Sequence, residues 1–406
     1  MRRPPLAGAV VLDLSHFLAG PFCSQLLADL GARVIKIEPR TGDMTRDLPP
    51  YFVHGTSAYF LSVNRNKESI VIDLKQAEGK ELFLQLVGAA EIVLENFRPG
   101  VLSRLGIDYP ELQKKNPAIV LCSITGFGLD TSNPDRPAYD MIVQALSGVM
   151  SLTGESEGMP LRAGVPIGDL AAGMLGAVGA LAALTSARSN GEGSHVDISM
   201  LDGQISLLSY LAAYYLISGE VPGPQGRGHL SIPTYRSFGG SDERDFVVCA
   251  NTQAMWTGMC EALGLDQLAD DARFASNRDR YHNRNELWQI LEKRFRERAA
   301  HEWVEELQRR NVPVALIHTV EESLTSPDVR ERNMVVRVDK NGQELNLVGS
   351  PIKYTDREGV PPRWPPEFAE HSWTVLRDLL GLKESEIRHL VSVGAILEAG
   401  EHADGK

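Results

Sequence analysis

Short apolar runs alternate with amphipathic runs through the first half of the chain. Residues 10–14 (VVLDL) and 33–38 (RVIKIE) are short and mostly apolar, as strands buried on both faces of a sheet are. Between them, Gly20 and Pro21 open a run, FCSQLLADL, whose helical periodicity ends before Gly31. A strand, a helix and a strand in this order predict two parallel strands joined by a right-handed crossover.

The same pattern recurs further along. Residues 69–74 (SIVIDL) and 91–96 (EIVLEN) flank a second helical run, and residues 119–125 (IVLCSIT) predict another strand. The sequence therefore predicts an α/β domain around a mostly parallel sheet. Its first turn, SHFLAGPF, lacks the G-x-G-x-x-G of a dinucleotide site, which argues against NAD although Glu38 stands where a ribose ligand would.

A change of composition marks the domain boundary. Residues 220–229 (EVPGPQGRGH) are rich in proline and glycine and lack periodicity, which predicts a linker. Beyond it, short strands and helices over residues 230–329 predict a smaller α+β domain. The amphipathic end of the chain is expected to pack back on the first domain, so the large domain comprises residues 1–219 completed by residues 330–406.

Three local patterns predict single elements. Residues 170–187 are apolar but consist mainly of alanine and glycine, which favours a buried, closely packed helix over a membrane span. The apolar run from residue 201 to about residue 218 predicts one long helix. Residues 340–343 (KNGQ), between two alternating runs, predict a hairpin turn.

Composition and charge narrow the class of protein. The 406 residues are 43% hydrophobic and 23% charged, as in soluble globular proteins. A net charge of −12 argues against nucleic acid as a partner. The cysteines are far apart and the histidines lack zinc spacing, so we expect no metal and a reduced, cytoplasmic protein. These cysteines are Cys23, Cys122, Cys249 and Cys260.

One carboxylate, Asp169 in GVPIGDLAAG, begins an otherwise uncharged run. An aspartate at such a position is commonly a helix N-cap. However, its small neighbours Gly168, Ala171, Ala172 and Gly173 would leave room for a reactant. The N–H groups and the dipole of a helix start should keep the carboxylate ionised, which suits a covalent nucleophile better than a general base.

Further candidates follow the predicted strands. Asn96 and Phe97 come after a strand end, where open α/β sheets place ligands, and Phe97 could stack on a purine. Basic residues nearby are either surface charges or ligands of an adenosine phosphate; they are Arg65, Lys67, Lys75, Lys80, Arg98 and Arg104. In RPAYD, Tyr139 could belong to the core and Asp140 could cap the following helix. No G-x-S-x-G motif indicates a serine hydrolase.

Many of these stretches together resemble the family III CoA-transferases, which include formyl-CoA transferase and carnitine CoA-transferase. The matching segments are VLDLSHFLAGPFCSQLLADLGARVIKIEP, GDMTR, YFLSVNRNKESIVIDLK, VLENFRPGVLSRLG, LCSITGFG, RPAYDMIVQALSGVMSLTG and GVPIGDLAAG. In this order they cover nearly all of residues 10–210.

The resemblance implies a fold, a site and partners. It implies a Rossmann-like large domain with a smaller domain, and two chains interlocked as a homodimer. Asp169 corresponds to the family's catalytic aspartate. The substrates would be an acyl-CoA and a free carboxylic acid, with coenzyme A carried as the acyl-CoA and no metal. Coenzyme A is expected along Leu18, Ala19, Lys75, Asn96, Phe97, Arg98 and Arg104, and near Tyr139 and Asp140.

The resemblance also implies the chemistry. In this family the aspartate attacks the donor thioester to give an aspartyl anhydride, and the CoA thiolate then converts it to an aspartyl thioester. A 2-methylacyl-CoA racemase is one alternative, but that branch carries Gly-His-Asp where Ala138, Tyr139 and Asp140 stand here. A catalytically silent CoA-binding protein is another, against which the small neighbours of Asp169 argue.

The substrate class is suggested by a departure from the family pattern. Formyl-CoA transferase has a glycine run over its active site, and the nearest stretch here, residues 223–229 (GPQGRGH), is shorter and interrupted. This argues against a formyl or oxalyl substrate. The stretches SITGFG and GRGHLSIPTY are similar to those of members that handle dicarboxylates such as succinate, glutarate or hydroxymethylglutarate. Arg46, Arg136 or Arg227 could then pair with the distal carboxylate.

Overall fold

The computed structural model describes residues 2–133, 136–155 and 157–400. Two compact units contain these residues: the first lies within 1–149, 162–217 and 330–406, the second within 150–161 and 218–329. Residues 220–229 thus fall in the second unit, where they include a short strand.

Strands of both units are short. In chain order they are β1 (Val10–Asp13), β2 (Arg33–Glu38), β3 (Phe52–Val53), β4 (Thr56–Ser57), β5 (Lys67–Ile72), β6 (Ile92–Glu95), β7 (Val120–Thr125), β8 (His195–Ser199), β9 (Gly228–His229), β10 (Ile232–Gly239), β11 (Asp245–Cys249), β12 (Val314–Leu316), β13 (Val335–Lys340), β14 (Gln343–Val348) and β15 (Ile396–Leu397).

Helices connect most of them. They are α1 (Ala19–Asp29), α2 (Ala58–Val63), α3 (Ala77–Gly88), α4 (Val101–Leu105), α5 (Tyr109–Lys115), α6 (Asp140–Leu146), α7 (Val149–Leu152), α8 (Ile167–Asn190), α9 (Met200–Leu207), α10 (Ser209–Ser218), α11 (Gln253–Leu263), α12 (Gln267–Asp270), α13 (Asn277–His282), α14 (Arg284–Phe295), α15 (Ala300–Arg309), α16 (Val320–Thr325), α17 (Pro327–Glu331), α18 (Ser372–Leu380) and α19 (Glu384–Ser392). A 3₁₀ helix occupies Met44–Asp47.

The first unit is built on a sheet of order β15-β5-β2-β1-β6-β7-β8. Every neighbouring pair is parallel except β15, which runs antiparallel to β5. The predicted α/β fold with a mostly parallel sheet is therefore confirmed. Because the carboxyl ends of parallel strands share one edge, the loops after β1, β6 and β7 meet there.

Apolar clusters cover both faces of this sheet. Val11 and Val34 belong to one cluster and Leu12 and Ile35 to the other, as the alternation of side chains along a strand requires. Helices α1 and α8 pack on the first face, and α3 and α18 on the second.

Small residues let α8 lie directly against α1. A Cβ atom on Gly173 would stand 2.6 Å from the carbonyl oxygen of Ala19, and one on Gly176 would stand 3.3 Å from the sulfur of Cys23. Ala171 and Ala172 are buried as well. These residues permit close helix packing, so the idea that they clear space for a reactant is wrong. By length and composition α8 could cross a membrane, a property that core helices of soluble proteins share.

Two other local predictions have different outcomes. Strands β13 and β14 pair antiparallel around Asn341 and Gly342, whose φ angles of 56° and 79° suit a hairpin turn, as predicted. The apolar run after residue 200 is not one helix but two, α9 and α10, which meet at Ser209 with a φ of 50°. This left-handed backbone interrupts the helix.

The second unit contains an antiparallel sheet of order β12-β11-β10-β9. Its core is aromatic: Phe295 lies 4.6 Å from Phe238 and 5.5 Å from Trp303 between ring centroids. Helices α11, α14 and α15 supply most of the apolar side chains packed on this sheet.

Two of the basic residues form buried ion pairs in the first unit. Lys67 Nζ lies 3.1 Å from Asp13 Oδ2, and both side chains are fully buried. Arg65 is bound in the same way to Asp29. The two cations are therefore neither surface charges nor ligands of a phosphate, which corrects both interpretations of them.

Glu38, the last residue of β2, is also buried with an opposite charge. Its carboxylate accepts hydrogen bonds from Arg46 at 2.6 Å and from the Ser69 hydroxyl at 2.6 Å, and it is fully buried. Glu38 therefore has no ribose to bind, and Arg46 is not available for the distal carboxylate of a substrate.

Candidate active site

Asp169 faces a cavity of about 630 Å³ at the carboxyl edge of the sheet in the first unit. The walls come from the loop after β1, the loop after β6, the end of β7 and the starts of α6 and α8. They include Phe17, Ala19, Asn96, Phe97, Arg98, Thr125, Tyr139 and Asp140. The sheet topology thus brings together loops that are far apart in the chain.

Asp169 is not the N-cap of its helix. It is the third residue of α8, whose N-cap position is held by Pro166. The N–H of Gly168 donates instead to Asp140 Oδ1 at 2.7 Å. Asp140 is itself the first residue of α6 and does not cap that helix. The capping interaction expected of Asp169 is therefore made by a residue of another helix.

The environment of Asp169 raises its pKa to about 7 through burial and, second, the negative charge of Asp140. This outcome contradicts the expectation that the helix start keeps the carboxylate fully ionised. Because Asp140 accepts the Gly168 N–H, that N–H of the helix terminus is not available to Asp169. At neutral pH Asp169 is therefore poised between its two protonation states.

Some of the residues expected along coenzyme A line the cavity, and others do not. Ala19, Asn96, Phe97, Arg98, Tyr139 and Asp140 all line the cavity with Asp169. Leu18 is buried, whereas Lys75 and Arg104 are exposed, and these three lie outside the cavity wall. Lys75 follows β5 and Arg104 lies on α4, so both still belong to the carboxyl side of the sheet.

The side chain of Asn96 has a structural task. Its oxygen accepts the N–H of His16 at 2.8 Å and its amide donates to the His16 carbonyl oxygen at 2.8 Å. The rings of His16 and Phe97 lie 5.7 Å apart. Asn96 therefore ties the loop after β1 to the loop after β6 and uses its amide group to do so.

Three guanidinium groups surround the cavity. Arg98, Arg136 and Arg162 line it, and no ion-pair partner for them is found among the described residues. Arg136 lies 4.5 Å above the ring of Phe127. Arg227, in contrast, lies in the second unit, 3.4 Å from Glu155. Of the arginines proposed for a distal carboxylate, Arg136 is the one that the fold places beside Asp169.

Sequence reasoning missed Tyr59, which also lines the cavity. Burial and then the charge of Asp169 raise its pKa to about 12, so it keeps its O–H proton at neutral pH. The segment YFLSVN reads as part of a core helix, and no local pattern distinguishes Tyr59 from a packing residue. Phe17 and Arg162, which lie between secondary-structure elements, were missed as well.

A chain of polar side chains, buried at Glu95 and Ser123 and exposed at His195, supports the loop after β6. Glu95 accepts the N–H of Phe97 at 2.7 Å and is hydrogen-bonded to Ser123, whose hydroxyl lies 2.9 Å from His195 Nε2. Burial raises the pKa of Glu95 to about 7. These residues lie on the neighbouring strands β6, β7 and β8.

Replacing Glu95 by glutamine should stabilise the protein above pH 7 by about 3 kcal/mol. A raised pKa means that Glu95 holds its proton more tightly in the native state than in the unfolded state. The stability that protonated Glu95 contributes to the unmodified protein is therefore complete below the unfolded pKa of 4.5 and is lost as the pH rises through about 7. Glutamine keeps both hydrogen bonds without the charge. Urea unfolding from pH 5 to 8.5 measures this effect.

The Glu91→Gln variant, immediately before the same strand, serves as the control. Glu91 is partly exposed and paired with Arg188, so its substitution should change stability by less than about 1 kcal/mol. An unchanged pH dependence in Glu95→Gln would contradict the assignment of the titration to Glu95.

No group of three or more histidine, cysteine, aspartate or glutamate side chains that could hold a metal occurs within residues 2–133, 136–155 and 157–400. The polar side chains that line the cavity are two carboxylates, three guanidinium groups, three hydroxyl groups and the amide of Asn96. They can supply a nucleophile and bind anions.

Known proteins are similar to this chain in sequence and in fold. The family model described as CoA-transferase family III matches residues 6–372. Human succinyl-CoA:glutarate CoA-transferase is 34% identical over 400 residues, covering 98% of this chain and 91% of the relative. Acetyl-CoA:oxalate CoA-transferase of Acetobacter aceti is 38% identical over 367 residues, covering 88% and 93%.

A solved structure of a similar protein has the same fold. A CAIB/BAIF family protein from Brucella suis superposes with a TM-score of 0.83 at 34% identity, covering 93% of this chain and all of that one. The predicted resemblance is confirmed by these similarities. The chain belongs to CoA-transferase family III and is an enzyme of its transferase branch.

Proposed function

We propose that this enzyme moves coenzyme A from an acyl-CoA to a free carboxylic acid through covalent intermediates on Asp169. The observation that carries the proposal is the placement of Asp169 on an arginine-lined cavity at the carboxyl edge of the sheet. Guanidinium groups suit the phosphates of coenzyme A and the carboxylates of both acids.

The first half of the reaction releases the donor acid. The ionised carboxylate of Asp169 attacks the thioester carbonyl, the carbon–sulfur bond breaks, and the CoA thiolate leaves behind an aspartyl anhydride. The thiolate then attacks the aspartyl carbonyl carbon. The anhydride bond breaks, the donor acid departs as a carboxylate, and Asp169 carries coenzyme A as a thioester.

The second half mirrors the first. The acceptor carboxylate attacks the aspartyl thioester, and the thiolate leaves an anhydride between Asp169 and the acceptor. Attack of the thiolate on the acceptor carbonyl forms the new acyl-CoA and returns Asp169 as a carboxylate. No proton is consumed in the cycle, so the enzyme needs an ionised nucleophile and donors for the oxyanions.

The cavity offers such donors. Tyr59 retains its O–H, and the N–H of Asp169 itself has no hydrogen-bond acceptor among the described residues. The arginines add positive charge near the anionic intermediates. Fixed donors in a partly buried site stabilise developing negative charge without reorganisation of solvent.

We propose a dicarboxylate as donor or acceptor. Arg136 can pair with the distal carboxylate, since it lines the cavity. The human relative is named for succinyl-CoA and glutarate, and the bacterial relative for oxalate. Similarity therefore supports small dicarboxylates as a class, and it gives no support to the expected exclusion of oxalate.

The racemase alternative is less well supported. A racemase needs two groups that exchange the α-proton, and Tyr139 occupies the position where that branch carries histidine. A phenol is a poorer partner for this exchange than an imidazole, because its ordinary pKa lies far above neutrality. Deuterium incorporation at C2 without an acceptor acid would instead indicate the racemase.

A donor-by-acceptor screen tests the proposal. Acetyl-CoA and succinyl-CoA are each incubated with oxalate, succinate, glutarate and hydroxymethylglutarate, and the new acyl-CoA is detected by mass spectrometry. Hydroxylamine added during turnover should convert Asp169 to a hydroxamate that peptide mapping locates. Turnover without an Asp169 adduct would contradict the covalent mechanism, and no adduct or turnover with any pair would contradict the proposed function, leaving the silent CoA-binding alternative.

We also propose the interlocked homodimer and the cytoplasmic location. Support for the dimer comes from α10, an apolar helix without buried residues, on which Leu216 and Ile217 are 79% and 85% exposed. Such a surface is expected to be covered by a second copy. Sedimentation of a monomer at micromolar concentration would contradict the dimer. The cytoplasmic location stays a prediction from the separate cysteines.

A further inference from the structure

The segment that leads into the nucleophile is held at both ends by side chains of α6. Asp140 Oδ1 accepts the N–H of Gly168 at 2.7 Å. Asp140 Oδ2 accepts from Gln144 Nε2 at 2.7 Å, and Gln144 Oε1 accepts the N–H of Ala163 at 2.8 Å. The turn that carries Asp169 is therefore anchored by two linked side chains on another helix.

Gly168 is packed against this anchor. A Cβ atom there would stand 3.0 Å from Asp140 Oδ1 and 2.3 Å from Nε2 of the fully buried Gln204. Gln204 is held by the hydroxyl of Ser147, which donates to its Oε1 at 2.7 Å. The glycine thus admits the anchor rather than a substrate, and the position of Asp140 relative to Asp169 is closely defined.

We propose that Asp140 is a positioning residue for the nucleophile: its carboxylate holds the first turn of α8 in place, and its negative charge acts directly on the Asp169 carboxylate. This inference rests on the proposed function, and it gives Asp140 a role other than the contact with coenzyme A that the resemblance implies. Asp140 binds α8 through a hydrogen bond and keeps a second carboxylate close to the first.

The charge has a chemical consequence. The charged and titratable side chains that share the cavity with Asp169 are Tyr59, Arg98, Arg136, Tyr139, Asp140 and Arg162. Besides burial, the charge that raises the pKa of Asp169 toward 7 is that of Asp140. A more basic carboxylate is a stronger nucleophile while it remains ionised, so a pKa near the working pH gives the best compromise.

Asp140→Asn separates the two parts of the role. Asparagine can still accept the Gly168 N–H through its Oδ1, but it lacks the charge and its amide group cannot accept from Gln144. The pKa of Asp169 should therefore fall by about one unit. The acid limb of the kcat/KM profile should move down by the same amount. At pH 8, where Asp169 is ionised in both proteins, kcat should fall about threefold for a Brønsted slope near 0.5. Asp140→Ala should show the same shift and a lower Tm as well.

The pKa of Asp169 is measured without turnover. Carbon-13 NMR of the aspartate carboxyl groups follows the titration in the substrate-free protein, and the resonance missing from Asp169→Asn identifies the residue. The expected midpoint in the unmodified protein is near pH 7. An ordinary midpoint near pH 4 there would overturn the proposal even if neither variant folded.

Other outcomes are equally distinct. If neither Asp140 substitution changed the midpoint of the Asp169 titration although turnover slowed, the charge effect would be overturned. Asp140 would then have a structural role alone. A loss of CoA affinity of tenfold or more without a shift would support the contact with coenzyme A instead. Because the NMR titration needs no substrate, failure of this inference is distinguishable from failure to detect the Asp169 adduct.

Discussion

Replacing Asp169 by asparagine is expected to lower the rate of CoA transfer by about 10⁴-fold or more while leaving the Kd for coenzyme A within about threefold. The amide has nearly the shape of the carboxylate but cannot form the anhydride. Steady-state transfer assays and calorimetric titration with coenzyme A measure the two quantities.

The loss should not come from unfolding. Burial and Asp140 raise the pKa of Asp169, so the charged form is disfavoured in the native state, and its contribution to stability is lost as the pH rises through about 7. A neutral amide avoids this penalty, and the variant should be at least as stable at pH 8. Thermal unfolding at that pH provides the check.

Asp202→Asn is the matched control. Asp202 is also the third residue of a helix, α9, and is exposed, yet it does not line the cavity. Its substitution should change the transfer rate less than twofold. If Asp169→Asn kept a tenth or more of the activity, or if Asp202→Asn lost as much, the nucleophile would have to be sought elsewhere.

Replacing Lys67 by methionine is expected to lower the free energy of unfolding by about 4 kcal/mol. Its ammonium group donates to Asp13 Oδ2 at 3.1 Å, to the Pro21 carbonyl oxygen at 2.9 Å and to Asn64 Oδ1 at 2.8 Å. Burial raises the pKa of Asp13, but the positive charges of Lys67 and Lys36 outweigh this effect and hold that pKa at about 2. Without Lys67 a buried carboxylate loses its closest cation.

The same change should disturb the active site. Asp13 ends β1 and accepts the N–H of Ser15 at 2.9 Å, so it shapes the loop that carries Phe17 and Ala19 into the cavity. We expect weaker binding of coenzyme A as well as lower stability. Urea unfolding followed by tryptophan fluorescence and by circular dichroism measures the stability.

Two variants bracket this result. The double substitution Asp13→Asn with Lys67→Met removes both charges and should recover part of the loss. Arg188→Met breaks the exposed pair of Arg188 with Glu91, whose atoms lie 2.8 Å apart, and should cost less than about 1 kcal/mol. A loss below 1 kcal/mol for Lys67→Met would mean that the buried pair adds little.

Much of the first unit follows from local pattern. Strands such as β1 and β2 are apolar on both faces because helices cover both faces of the sheet, and this appears as continuous apolar runs. The turn at Asn341 and Gly342 is determined by the left-handed backbone that these residues tolerate. The break at Ser209 was not predictable, because nothing in the surrounding apolar run suggests it.

The sequence by itself determined the α/β class and the family, and it made Asp169 a candidate, because periodicity and ordered motifs are local properties of a chain. Only the tertiary structure decided which charges are free. In the sequence nothing distinguishes Arg65, Lys67 and Glu38 from surface residues, yet each is buried with an opposite charge.

The protonation of Asp169 depends on the tertiary structure in the same way. Its neighbours in the chain predict an ionised helix-start carboxylate, whereas burial and an aspartate 29 residues earlier, Asp140, raise its pKa toward neutrality. The energy of a charge depends on the solvent it loses and on the charges it meets. Both are set by segments distant in sequence, which the folding of the sheet and of α6 against α8 brings together.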